Sequence, residues 1–215
     1  MICRIIITGI TNMSIGYICV SGYDMAARKY IRPIIPGSHI KESFLSSYNS
    51  PIDLGSTIEL DLSYSETLAS PPHIEDNPFD TSTVKVLDSM SRVQFRSFIE
   101  SIADESVESI FGYEIELING QPILPEGSGT RSLGAIMGRK CTVYCDHMGK
   151  SRCDFVDQSG YEYRHLPIVG RDEWIKKPGN YLDVPIRLSL TRLFQKDDDS
   201  EPMYWMQVSG VIAAQ

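Results

Sequence analysis

The second half of the chain is the part that most restricts how it can fold. Cys141–Cys145, Arg152–Val156, Tyr161–Leu166, Ile186–Leu190 and Tyr204–Ile212 are short runs rich in β-branched and aromatic residues. Turn sequences such as His147–Lys150 and Asp157–Gly160 separate the early ones. Strands at this spacing suit a small closed antiparallel barrel. Along Cys141–Cys145 the alternation sets Cys141, Val143 and Cys145 on one face and Thr142, Tyr144 and Asp146 on the other. It likewise groups Tyr161, Tyr163 and His165 against Glu162 and Arg164. The acidic run Asp197–Asp199, between the last two strands, reads as a solvated loop.

The first half repeats the β character with one interruption. Arg4–Thr8, Tyr17–Val20, Lys29–Ile35 and Thr57–Leu62 read as strands, with Pro33 at an edge or bulge because it has no N–H to give a ladder. Residues 38–56 read as a long loop, and the proline-bearing stretch 70–80 as an extended wrap over the surface. Phe95, Phe98, Ile99, Ile102, Val107 and Ile110 form one apolar stripe, which predicts a single helix over about 91–111 that closes the base of the first barrel. Ser89 or Ser91 suits its start and Gly112 its end. The expected organisation is a first unit over 1–118, a linker over 119–130 and a second unit over 131–215. The fold class is mainly β: two small barrels in tandem with one substantial α-helix in the first half.

Charge divides unevenly between these halves. The whole chain carries a formal net charge of −8, which excludes a protein that coats nucleic acid by bulk charge. Residues 1–130 hold 8 Lys and Arg against 17 Asp and Glu, whereas residues 131–196 hold 12 against 7. If either half touches a polyanion, charge alone favours the second. There Lys140, Tyr144, Lys150, Arg152, Tyr163, Arg164, Arg171 and Trp174 interleave cations with aromatics, as nucleic-acid grooves do, with an ordinary barrel whose aromatics fill its core and whose lysines lie on its loops as the competing reading, which the composition alone favours. In the first half Arg32 is a candidate anion contact, with pairing to one of the many local carboxylates as the competing reading.

No motif specifies a reaction. There is no Gly-x-Ser-x-Gly elbow, phosphate loop or dinucleotide fingerprint. Cys141, Cys145, His147, Cys153 and His165 lack the paired knuckle spacing of a structural zinc site, and Cys141 and Cys145 read as metal-free core thiols. The expectation is no enzyme, no cofactor and no metal. An odd count of 5 cysteines argues against a disulfide framework. No segment approaches the ~18 apolar residues of a membrane span. A cytoplasmic protein with free thiols is the expected class.

Particular residue strings resemble a known family. Ile18-Cys-Val-Ser-Gly22 and Tyr30-Ile-Arg-Pro33 are similar to the Cys-Val-Ala-Gly and Trp-Ile-Arg-Pro of the bacterial dual OB-containing domain proteins, a nucleic-acid-modification-associated family. Glu75-Asp76 in the proline-rich stretch, Arg152-Cys-Asp-Phe155, Gly160-Tyr-Glu-Tyr163, Asp172, Arg187-Leu-Ser-Leu190 and Tyr204–Ile212 extend the likeness nearly end to end. The chain departs from the family at Met206, where its members tend to carry Lys. The resemblance implies two OB-type barrels and a nucleic-acid-binding accessory subunit, for DNA or RNA. It would work beside an enzyme partner in a bacterial defence or modification system. It supplies no active site. The rival reading is a protein–protein interaction or assembly module, since fold alone does not fix function.

Overall fold

The computed structural model describes residues 1–63, 68–195 and 201–213. The run Asp197–Asp199 lies outside them. The described chain is mainly β, with two seven-stranded sheets and one substantial helix.

The first sheet is built from β1 (Ile2–Asn12), β2 (Tyr17–Asp24), β3 (Lys29–Ile34), β4 (Ile40–Lys41), β5 (Ser56–Asp61), β6 (Asp76–Pro78) and β7 (Lys85–Ser89). β1, β2 and β3 form a meander, and β5 returns beside β1. β6 closes the ring: it runs parallel to β3, and the bridge between Leu62 and Phe79 joins it to the end of β5. This is a five-stranded Greek-key barrel of the OB type. Pro33 sits where β3 leaves β2 and takes Asn77 as its partner, a position that needs no N–H on the β2 side. The stretch 70–80 is therefore not a surface wrap. It contains the closing strand, and His73, Glu75, Asp76 and Asn77 on it are buried. The expected loop 38–56 also contributes to the core, through Ile40, Phe44, Ile52 and Leu54.

The predicted single helix is two. α1 (Arg92–Ser101) and α2 (Val107–Phe111) each begin on a capping box, Ser91 with Gln94 and Ser106 with Ser109. Between them Asp104 is drawn into the second sheet, its N–H donating to the Ala135 carbonyl at 2.7 Å. The apolar stripe divides accordingly. Phe95, Phe98 and Ile99 enter the first core, as expected, while Val107, Ile110 and Phe111 enter the second. Gly134 permits this, since a Cβ there would lie 2.5 Å from Ile110.

The second sheet follows with β8 (Glu116–Ile118), β9 (Gln121–Pro125), β10 (Leu133–Cys145), β11 (Ser151–Val156), β12 (Glu162–Pro167), β13 (Gly179–Leu190) and β14 (Met203–Val211). It repeats the first topology: a β10–β11–β12 meander, β13 beside β10, β14 beside β13, and a parallel bridge from Ile168 to Val208 that closes the ring. The expected linker 119–130 contains β9, which pairs with β14 and so belongs to this sheet. Cys141, Val143 and Cys153 line the core, and the Cys141 and Cys153 sulfurs are 3.4 Å apart. Cys145, expected beside them, is exposed because it ends the strand at the turn. No helix among the described residues is long and apolar enough to cross a membrane.

Candidate nucleic-acid interface

The alternation that buries Cys141 and Val143 turns Lys140, Thr142 and Tyr144 outward on β10. Across the ladder Tyr144 faces Arg152 and Thr142 faces Asp154. On β12 the alternation fails at His165. This residue has φ 57°, and the β11–β12 register shifts between Cys153 and Phe155. The irregularity separates His165 from the buried Tyr163 and turns it outward to Tyr144, whose hydroxyl lies 2.9 Å from its Nδ1. Asp154 holds both groups, accepting from the Tyr144 hydroxyl at 3.0 Å and the His165 N–H at 2.7 Å. Burial and then the Asp154 contact push the Tyr144 phenol up to about 12, so it stays protonated.

The turn beside this face is held by hydrogen bonds to one carboxylate. Asp146 accepts from the N–H groups of Met148 and Lys150 and from Arg152 Nε, each at 2.9 Å. The Lys150 N–H, and then Arg152, hold the Asp146 carboxyl down at about 2. Arg164 pairs with Glu162 at 2.6 Å. Lys140 and Lys150 are exposed and make no ion pair among the described residues. Lys140, Tyr144, Lys150, Arg152 and Arg164 thus share one outer surface of the second barrel, interrupted by Asp146, Asp154 and Glu162.

The other singled-out residues lie elsewhere. Tyr163 is 3 % exposed and its hydroxyl donates to Asp157 at 3.3 Å, so its ring is core and offers no stacking surface. Arg32 is buried between the barrels. Its Nη1 reaches Asp76 at 2.9 Å and His73 Nδ1 at 3.0 Å, and its Nη2 donates to Ser132 at 3.0 Å. Of the two readings of Arg32, the carboxylate pairing is the one observed. Arg171 pairs with Glu42 at 2.6 Å, and Trp174 packs edge-on against Phe95 beneath the Arg92 guanidinium. Trp174 thus sits against α1, while Arg171 lies beside the end of β1, its N–H donating to the Ile10 carbonyl at 2.9 Å. Thr142, Asn180 and His165 border the face, though the sequence marks Thr142 and Asn180 for nothing and sets His165 on the side of Tyr163. The first two carry no charge or ring to mark them, and the third is displaced by the register shift.

A second concavity lies between the barrels, a cavity of about 330 Å³ bounded by residues of β1, β2 and β3 on one side and β13 and β14 on the other. Among the described residues no group of three or more His, Cys, Asp or Glu is arranged to hold a metal ion.

No family model and no curated protein matches the chain. Two solved structures are similar to it along nearly its whole length. The crystal structure of the tetrameric p202 HIN2 is 10% identical, covers 97% of this chain and 91% of that one, and has a TM-score of 0.31. The structure of a murine DNA binding protein bound with double-stranded DNA is 12% identical, covers 100% and 97%, and has a TM-score of 0.34. Scores of that size do not establish a common fold; the barrel topology rests on this chain's own strand pairing.

Proposed function

We propose that the chain is a non-enzymatic nucleic-acid-binding module whose contact surface is the outer face of β10–β12. One observation carries this reading: Lys140, Tyr144, Arg152 and Arg164 lie on one sheet face, with Lys150 in the turn that borders it. The cations neutralise phosphates, while Tyr144 and His165 offer ring surface to unpaired bases. An open strand suits a flat sheet with aromatic groups better than a duplex does. Because Asp146, Asp154 and Glu162 interleave with the cations, affinity is modest and strongly salt-dependent. The family resemblance adds the setting, an accessory subunit beside an enzyme of a bacterial defence or nucleic-acid-modification system.

The assembly-module reading keeps one observation in its favour. β8 ends the second sheet, and its Leu117 and Ile118 are exposed. An uncovered strand edge of this kind can accept a partner strand.

Titration with single-stranded and duplex DNA and RNA at two salt concentrations separates the readings. Single-stranded binding is expected, and Lys140→Glu with Lys150→Glu should weaken it for every sequence and flatten its salt dependence. No binding to any of these nucleic acids at low salt, alone or with the natural partner, would overturn the proposal in favour of assembly.

A further inference from the structure

The cavity between the barrels has a polar floor of Ser21, Arg32, Ser189 and Ser209 and apolar walls that include Ile18, Ile34, Leu133 and Leu190. Asn12, His39 and Arg192 stand at its mouth, and Gln207 also lines it. Small-molecule sites start at about 300 Å³, so roughly 330 Å³ takes one small organic molecule.

The buried charges around it are two guanidiniums, Arg32 and Arg187, and two carboxylates, Glu75 and Asp76, with the half-exposed Arg192 as a third cation. Arg32 and Arg192 share Asp76, at 2.9 Å and 2.5 Å. Glu75 is committed to the N–H groups of Ser132 and Leu133 and to the Ser132 hydroxyl, each at 2.9 Å. Arg187 is 1 % exposed and makes no ion pair among the described residues. Its Nη2 donates to Ser21 Oγ at 3.2 Å, its guanidinium lies 5.1 Å from the Tyr30 ring centroid and interacts electrostatically with the Tyr30 hydroxyl, and its Nε and Nη1 make no geometric hydrogen bond among the described residues. A buried guanidinium without a counter-ion is costly. Ser21 both receives Arg187 and lines the cavity, so an anion seated there lies close to a guanidinium with no direct ion-pair partner among the described residues.

The geometry points to this cleft as a site for a single nucleotide. Its phosphate ester would meet Arg192, which spends one nitrogen on Asp76 and is otherwise 56 % exposed, together with the serine floor. Its base would enter between the isoleucine and leucine walls. The side-chain amides of Asn12 and Gln207 each offer a donor and an acceptor, the pairing that reads a base edge. Two sources carry this chemistry, a free mononucleotide and the 5′-phosphorylated end of a strand. The inference does not depend on the β10–β12 face, which lies on the outside of the second barrel.

Calorimetric titration of the whole chain tests it, with the four ribonucleoside 5′-monophosphates, the matching nucleosides and a 5′-phosphorylated oligonucleotide. One monophosphate should bind at one site per chain, its nucleoside at least roughly tenfold more weakly. Arg192→Ala should lose about the same factor, with its unfolding midpoint followed in parallel because it also removes a partner of the buried Asp76, and Ser209→Val should also weaken the site. If only the phosphorylated oligonucleotide binds, and Arg192→Ala removes its preference over the unphosphorylated strand, the cleft takes strand ends. If no monophosphate binds and Arg192→Ala leaves that preference unchanged, the inference is wrong. The β10–β12 reading would survive that result if Lys140→Glu and Lys150→Glu still weakened strand binding.

Discussion

His73 is buried against Arg32 and Arg192, and its environment makes a charged imidazole unfavourable. Burial first, and then the two guanidinium charges, push its pKa down from 6.5 to about 3. The unfolded chain therefore takes up a proton near pH 6.5 that the folded chain refuses until about pH 3. Stability is complete above pH 6.5 and falls as the pH drops through this window, by up to about 1.4 kcal/mol per pH unit. Denaturant unfolding at pH 7, 6 and 5 should show the fall. His73→Gln keeps an acceptor for Arg32 and should flatten it; an equal slope in that variant would remove His73 as the cause. Arg32 and Tyr163 show what the sequence reading lacked at this scale. Their residue types suit a polyanion contact, but Asp76, 44 positions from Arg32, and Asp157 claim them inside the fold. Spacing along the chain reveals neither partner: Asp76 is far from Arg32 in sequence, and Asp157, though six positions from Tyr163, meets it only through the fold.

The break between α1 and α2 changes what the apolar stripe does. Phe98 lies in the first core and Phe111 in the second, so one stretch of sequence anchors both barrels. Phe98→Ala and Phe111→Ala should each cost about 3–5 kcal/mol, read as a lowered denaturation midpoint. A midpoint unchanged by Phe98→Ala would mean that its ring is not core. The element pattern was largely legible. Period-2 alternation located the strands of the second barrel, and the 3.6 period located the helical region. The closing strand β6 was not legible, because Asp76-Asn77-Pro78 has no apolar alternation and is defined by its pairing with β3. The helix break was missed for a related reason. The apolar spacing runs across it, and the Asp104 contact to Ala135 that interrupts it is tertiary. The His165 irregularity likewise keeps a strand-like sequence while reversing which side of the sheet the residue meets.

At the scale of the molecule, polar contacts tie the two barrels together. Ser132 and Leu133 of the second half donate to Glu75, Arg187 to Ser21, and Arg96 on α1 to the carbonyls of Asp183 and Ile212. Buried polar groups that lose their partners are expensive, so opening one barrel exposes a cost in the other. The chain should unfold in one transition seen alike by fluorescence and circular dichroism, and two separate transitions would contradict that coupling. The same organisation leaves the β10–β12 face on the outside and the cleft between the barrels as a separate surface. The division of charge along the chain points to the second barrel, the one that carries the proposed face. It gave no sign of the cleft, whose serines, amides and arginines come from β1, β2, β3, β13 and β14 and meet only in the folded chain.

The central claim is that a strand of nucleic acid lies on the outer face of β10–β12. Amide chemical-shift mapping during titration with a single-stranded oligonucleotide tests it most directly. The account predicts the largest changes at Lys140–Tyr144, Lys150–Arg152 and Arg164–His165, diminishing together as salt is raised. Changes absent from those residues, or concentrated along the β8 edge, would contradict it.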